Sequence, residues 1–395
     1  MTTQPESFVN RSRIMRITSA LALLVPAAAN LHAQSVDDIN LQVHGYATQA
    51  FLYTNKNSWN GTDSNHGSAS WTEAVVNLSV EPESKLHVGV QARYYLLGDY
   101  GNQISLDWAQ LDYKVNSKLG FRVGKVKSPL GLLNETQDID PAHLWALLPQ
   151  SIYPIASRNS LLSHYGGIVY GTLPLGESLG KLEYAGYGGE RILSGSDGFF
   201  QFLRDAGFTL PNGTNGPTFG ASLIWHTPLR GLKVGATGEY DHENGEMDLA
   251  GMHGTLEDGP FRTPFFYGQY EKKRWMVGGE YQRIRLNSTT RFPGLPAFVN
   301  EVDARNFYVM TSYKASSKLA AGTYYSSTMN LKAPVSTSRF QKDWTVSARY
   351  DFNPYLYAKA EQHFINGTAT GFNASDNPNL QPTTRMTILK LGVSF

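Results

Sequence analysis

The chain has 395 residues, of which 17% are charged and 12% aromatic, with no cysteine and a formal net charge of +1. The missing cysteine excludes a disulfide scaffold, thiolate zinc sites and a thiol nucleophile, and near-neutrality removes any bulk attraction to nucleic acid. Past residue 35 no run approaches the roughly 20 apolar residues of a membrane helix, while a hydrophobic content of 41% is too high for a disordered chain.

The first element is an export segment. Arg11, Arg13 and Arg16 form a basic start, Ile17 to Ala29 a short apolar run, and Leu31-His32-Ala33 puts a small residue at the cleavage position. The pattern predicts a signal peptide over residues 1–33, cut after Ala33, with Met15 as an alternative start. Its removal takes away three Arg and one Glu and turns the net charge from +1 to −1.

From residue 34 to 395 the dominant signal is alternation with a period of two. In 86–94, Leu86, Val88, Val90, Ala92 and Tyr94 fall on one face, and His87, Gly89, Gln91 and Arg93 on the other. Residues 343–350 set Trp344, Val346, Ala348 and Tyr350 against Asp343, Thr345, Ser347 and Arg349. At the end, Thr387, Leu389, Leu391, Val393 and Phe395 oppose Lys390, Gly392 and Ser394, with Ile388 the exception. Short polar turns near 81–84, 116–118, 174–180, 227–231, 271–274, 314–318 and 351–354 alternate with longer connections. Those lie near 54–68, 96–103, 126–164, 189–217, 242–263, 286–301, 328–341 and 366–382.

Seven turns and eight loops predict sixteen strands. An even number of antiparallel strands, short turns at one rim and long loops at the other describes a transmembrane β-barrel. Lipid cannot pair the backbone groups of an open sheet edge, so such a sheet must close on itself. Tyr113, Trp225, Tyr270, Trp275, Tyr313, Tyr350, Tyr355 and Phe395 lie near the short turns, as an interfacial aromatic girdle does.

One connection stands apart. Lys125 to His164 lacks alternation and is too long for a turn. Pro141 to Leu148 reads as a short helix with Asp140 as N-cap. The segment is rich in Leu, Ile and Trp, so the barrel lumen is the expected place for it. A long connection of this kind is usually functional. Residues 197–207 read as a second short loop helix, at the mouth or against a neighbouring subunit.

Here the sequence resembles known proteins. The last strand ending in Phe395 resembles the assembly signal read by the barrel assembly machinery of bacterial outer membranes. Val123-Gly124-Lys125-Val126-Lys127-Ser128-Pro129-Leu130-Gly131 and Leu148-Pro149-Gln150-Ser151-Ile152-Tyr153 resemble the phosphate-selective porin O/P superfamily, a likeness confined to about residues 120–171. The resemblance implies a sixteen-stranded porin whose loop after the fifth strand, here 125–164, folds inward as the constriction. It further implies a homotrimer in the outer membrane of a Gram-negative bacterium, in contact with its lipid bilayer and lipopolysaccharide.

The constriction candidates are Lys125, Lys127, Arg158, Glu135, Asp138 and Asp140. Strand parity adds Arg93, Arg122, Arg349, Lys359 and Glu361 as lumen charges. Fixed charges in a narrow pore decide which ions enter and leave. The mixture of acids and bases departs from the basic line of phosphate channels. Any of these residues could equally serve as a salt bridge holding the loop to the wall. The expected function is passive diffusion of small polar or charged solutes, with anions the case the resemblance raises, and no metal or organic cofactor. The alternatives are a barrel enzyme resembling outer-membrane lipases and a secreted soluble β carbohydrate-binding protein. No metalloprotease, hydrolase-elbow or phosphate-loop signature is present.

Overall fold

The computed structural model describes residues 40–98 and 101–395; the export segment expected over 1–33 lies outside them. Sixteen long strands follow one another. They are β1 (Gln42–Thr54), β2 (Ser68–Glu83), β3 (Leu86–Leu97), β4 (Asn102–Asn116), β5 (Leu119–Lys127), β6 (Ser163–Gly176), β7 (Gly180–Leu193) and β8 (Thr214–His226). There follow β9 (Leu232–Leu249), β10 (Met252–Lys272), β11 (Trp275–Arg291), β12 (Phe298–Lys314), β13 (Leu319–Asn330), β14 (Phe340–Asp351), β15 (Leu356–Gly367) and β16 (Thr383–Ser394). Each pairs antiparallel with the next. The seam closes between β1 and β16, from Tyr46 opposite Ser394 to Thr54 opposite Met386. Backbone bonds between Gly45 and Phe395, 3.0 and 3.1 Å, finish the seam.

All seven expected turns separate strands at one rim. The loops at the other rim follow the expected positions, with one correction. Residues 242–263 form no loop: β9 and β10 run through them and meet at Ala250-Gly251, whose positive φ angles (50° and 84°) suit a two-residue hairpin. The polar composition there suggested a loop, but strands extending above the lipid need no apolar face. The inserted connection is also shorter than expected, 128–162, because β5 continues to Lys127 and β6 starts at Ser163.

Along each strand burial alternates. In β16, Met386, Ile388 and Lys390 are buried, while Leu389, Leu391 and Val393 are about half exposed. The exposed side is the apolar one, as a lipid-facing wall requires. Trp225, Trp275, Tyr350, Tyr355 and Phe395 are exposed near the turn rim, and the rings of Trp275 and Tyr313 lie 4.7 Å apart. The lumen is not uniformly wet. Leu130, Trp145, Ile152 and Tyr153 of the inserted connection pack on Tyr187, Phe265, Tyr308, Met310 and Tyr324 of the wall. A second group joins Ala146 and Leu147 to Leu52, Trp71, Leu97, Ile365 and Ile388. Ile388, the break in the alternation, is thus an inward residue in an apolar stretch of lumen.

Candidate functional site

The inserted loop leaves β5 at Ser128 and returns through α1 (Arg158–Leu162). Its neck is tied where it enters. The Ser128 hydroxyl and His164 Nδ1 lie 2.8 Å apart. The Asn134 amide donates to the carbonyls of Ser128 (2.7 Å) and Leu161 (2.9 Å).

Beyond the neck the loop is tied to the wall by, among other contacts, four carboxylate clusters. Asp138 is fully buried and accepts from Lys127 Nζ (2.8 Å), Gln91 Nε2 (2.9 Å) and Trp108 Nε1 (3.1 Å). Asp140 accepts from Lys359 (2.9 Å), Lys390 (2.9 Å) and the Tyr357 hydroxyl (2.8 Å). Burial alone would favour its neutral form, but the two ammonium groups outweigh that and hold the Asp140 carboxyl well below the usual range. Arg158 forks onto Asp107 at 2.7 and 2.8 Å. Glu280 accepts from Tyr153 (2.7 Å), Tyr308 (3.1 Å) and the Leu132 backbone (3.1 Å).

The helix expected over Pro141–Leu148 is absent; only Asp140–Ala142 forms a single 3₁₀ turn. The reason is competition for the backbone. Glu361 accepts the amides of Ala146 (2.9 Å) and Leu147 (3.0 Å). Lys359 and Lys390 take the carbonyls of Trp145 (3.0 Å) and Ala146 (2.8 Å), and Arg349 those of Pro141 and His143. Groups that would have closed helical turns are spent on the wall. The helix expected in 197–207 does form, as α2 (Gln201–Asp205), with Phe200 buried against Leu193, Leu210 and Met247.

Four constriction candidates, Lys127, Asp138, Asp140 and Arg158, are therefore ion-pair partners buried at the wall. Glu135 is half exposed and faces Arg122 at 3.7 Å. Lys125 stays apart from them on β5, beside the exposed ring of Tyr165 at 5.4 Å. Among the expected lumen charges, Arg93 pairs with Glu73 (2.7 Å), Arg122 with Asp112 (2.7 Å) and Arg349 with Asp351 (2.8 Å). Glu361 also bonds His363, which in turn bonds Asp343. Sequence reading missed Lys390, Asp107 and Glu280. The parity of β16 already set Lys390 on the wet face; Asp107 escaped because register shifts beside it.

Among the described residues, two of the cavities within the barrel flank the loop. One, of about 220 Å³, is lined by Gln150, Ile152, Arg191, Glu239, Asp241 and Asn306 among others. The other, of about 750 Å³, opens toward the turns and is lined by Lys233, Glu271, Lys273, Arg274, His143 and Arg349 among others. Ile152 borders the first, Leu132 and Leu133 the second. Among the described residues no group of three His, Asp or Glu is arranged to hold a metal.

Comparison with solved structures gives the fold. The outer membrane channel DcaP of Acinetobacter baumannii superposes with a TM-score of 0.56 at 12% identity, over 92% of this chain and 99% of that one. The anion-selective porin of Comamonas acidovorans gives 0.54 at 9%, over 91% and 100%. OmpT of Vibrio cholerae in its trimer form gives 0.52 at 13%, over 90% and 99%. No family profile matches the sequence, and no curated protein does. The chain has the porin-like barrel architecture.

Proposed function

We propose that this chain is a porin of the Gram-negative outer membrane, exported by the segment 1–33, through which small polar or charged solutes diffuse passively. The observation that carries the reading is a loop tied inside a closed, lipid-faced cylinder, with a cavity of about 220 Å³ on one side of it and one of about 750 Å³ on the other. A lumen meant only to be filled would not need two cavities lined in part by charged side chains such as Arg191, Glu239, Lys233 and Arg349. A loop meant to narrow a channel must resist the flow of solute, and the buried ion pairs give it that rigidity.

In this reading Lys127, Asp138, Asp140 and Arg158 fix the constriction, while Arg122, Glu135 and Arg349 present charge to the solute. Acids and bases in alternation favour dipolar solutes over a single ion sign. Kinship with the phosphate-selective group rests on residues 120–171 alone. A homotrimer is supported by an outer concavity of about 440 Å³ near Phe51, Ala348, Ala360 and Leu389. Beside it the polar pairs Gln49–Thr72 (2.6 Å) and Gln362–Thr387 (2.7 Å) lie among outward side chains, where a neighbouring subunit would spare them lipid.

The purified protein, folded in detergent, is expected to give discrete conductance steps in planar bilayers. Reversal potentials in salt gradients then rank ions and sugars. A folded, detergent-soluble barrel that inserts without any conductance would refute the channel reading.

A further inference from the structure

The outer wall carries a concentration of charge that a channel does not use. Near the loop rim, Arg262 on β10, Arg283 and Arg285 on β11, and Arg305 on β12 share the face of Phe266, Tyr281, Phe307 and Val309, which are exposed. Their inward neighbours Thr263, Gln282, Ala304 and Asn306 are buried. Strand pairing sets Arg262 directly opposite Arg285, and Arg283 directly opposite Arg305. The four guanidiniums thus form a compact block. One acid, Asp303, stands beside it and takes both arms of Arg283, at 2.8 and 2.7 Å. Arg285 lies directly opposite Asp303, but among the described residues Arg262, Arg285 and Arg305 make no direct hydrogen bond to it or to another acid.

Like charges placed directly across two strands destabilise a sheet. Two such pairs side by side, with one carboxylate shared among four guanidiniums, leave an excess of positive charge that calls for an external anion. The height of the block says which kind. Two residues nearer the turns on each strand, or four on β10, the same face turns aromatic: Phe266, Tyr281 and Phe307. The arginines therefore sit where an apolar, lipid-facing band ends and water begins, the level of lipid headgroups. The planar fork of arginine matches phosphate in two-point contact, which lysine cannot reproduce.

We propose that Arg262, Arg283, Arg285 and Arg305 bind the phosphate-bearing headgroup of a glycolipid in the leaflet facing the loops. Its acyl chains lie along Phe266, Phe307 and Val309, and Asp303 keeps Arg283 extended toward the headgroup. The inference rests on the membrane-spanning reading, but not on conduction, since none of these side chains faces the lumen.

Native mass spectrometry of the full barrel in non-ionic detergent tests it. The probes are bis-phosphorylated lipid A, dephosphorylated lipid A and inorganic phosphate. Wild type should retain bis-phosphorylated lipid A and lose affinity by about tenfold or more for each arginine fork removed. The variant R262Q/R285Q/R305Q should therefore release the lipid while keeping wild-type conductance and heat-dependent gel mobility. R262K/R285K/R305K should fall between the two. Equal retention by wild type and the triple glutamine variant would overturn the site, as would equal retention of the dephosphorylated lipid. Displacement of lipid A by an equal concentration of inorganic phosphate would overturn the choice of a lipid ligand. Failure to enter detergent at all would instead remove the membrane reading on which the site depends.

Discussion

The Asp140 clamp is the sharpest place to test the constriction. Asp140→Asn keeps the size of the side chain but removes the charge that Lys359 and Lys390 share. Both lysines are nearly inaccessible, with side chains 0% and 2% exposed, so neither can turn to water. Breaking a buried pair by deleting one partner costs about 3–5 kcal/mol. Here the cost falls on the attachment of the loop, because the wall is held by its own ladder. An opening equilibrium shifted by that amount changes by about two to three and a half powers of ten. Single-channel recording should show the conductance of D140N rising in bursts as the loop leaves the wall. Replacing the lysines as well, in D140N/K359M/K390M, removes the stranded charges but also their bonds to the Trp145 and Ala146 carbonyls, so its channel should be quieter than that of D140N without reaching wild type. Traces of D140N indistinguishable from wild type in amplitude and noise would refute the idea that this ion triad fixes the pore.

Further outcomes follow from the same geometry. His143 is held down to about 4 by burial, so its neutral form is the native one. Its contribution is intact above the unfolded value of about 6.5 and lost as pH falls from there to about 4. Open-channel noise in wild type should thus grow between those values, and H143Q should be flat across them. Asp140 is shifted downward, so its clamp persists until about pH 4 and fails only below it. A second rise in conductance below pH 4, absent from D140N, would be the signature. Arg158→Gln strands the buried Asp107 and should lower the temperature of the heat-dependent gel shift, with a cost of about 3–5 kcal/mol. Gly131 has φ +60° and a Cβ there would fall 1.9 Å from Glu280 Oε1. Gly131→Ala should push Glu280 off Tyr153 and raise conductance, whereas Gly294→Ala, at φ +77° in open space, should leave conductance unchanged.

The barrel was legible because its rule is local. One face must suit lipid, so a period of two survives in each strand, and tight turns are marked by short polar runs, most of them with Pro, Gly, Asn or Ser. The lengths of β9 and β10 were not legible, because water accepts a polar strand and a polar loop alike. The loop was recognisable by what it lacked, an alternation, and by its apolar content. Its conformation was hidden. The pattern Asp140-Pro141 is a good helix start in isolation, yet Glu361, Lys359, Lys390 and Arg349 claim the backbone from strands more than two hundred residues away. Alternation placed Arg93, Lys359 and Glu361 on the inner face, and the three side chains are buried there. What parity could not say is whether an inward charge meets water or a partner, since that depends on which stretch of loop comes to lie against it. Lys125 shows the converse limit, being inside the motif but leaning toward Tyr165.

The hold of the loop on the seam has a consequence for how the cylinder is made. The Tyr46 hydroxyl, on the first strand, donates to the carbonyl of Asp138 at 3.1 Å, and Lys390, on the last, grips Asp140 two residues on. A segment made a third of the way along the chain thus reaches both lips of the closure and works as a clasp. Chain ends that meet edge to edge could slide past one another by two residues without exposing the wrong face. A slipped closure would carry Lys390 away from Asp140, so the clasp selects the correct register and rewards the zipper only when it is fully drawn.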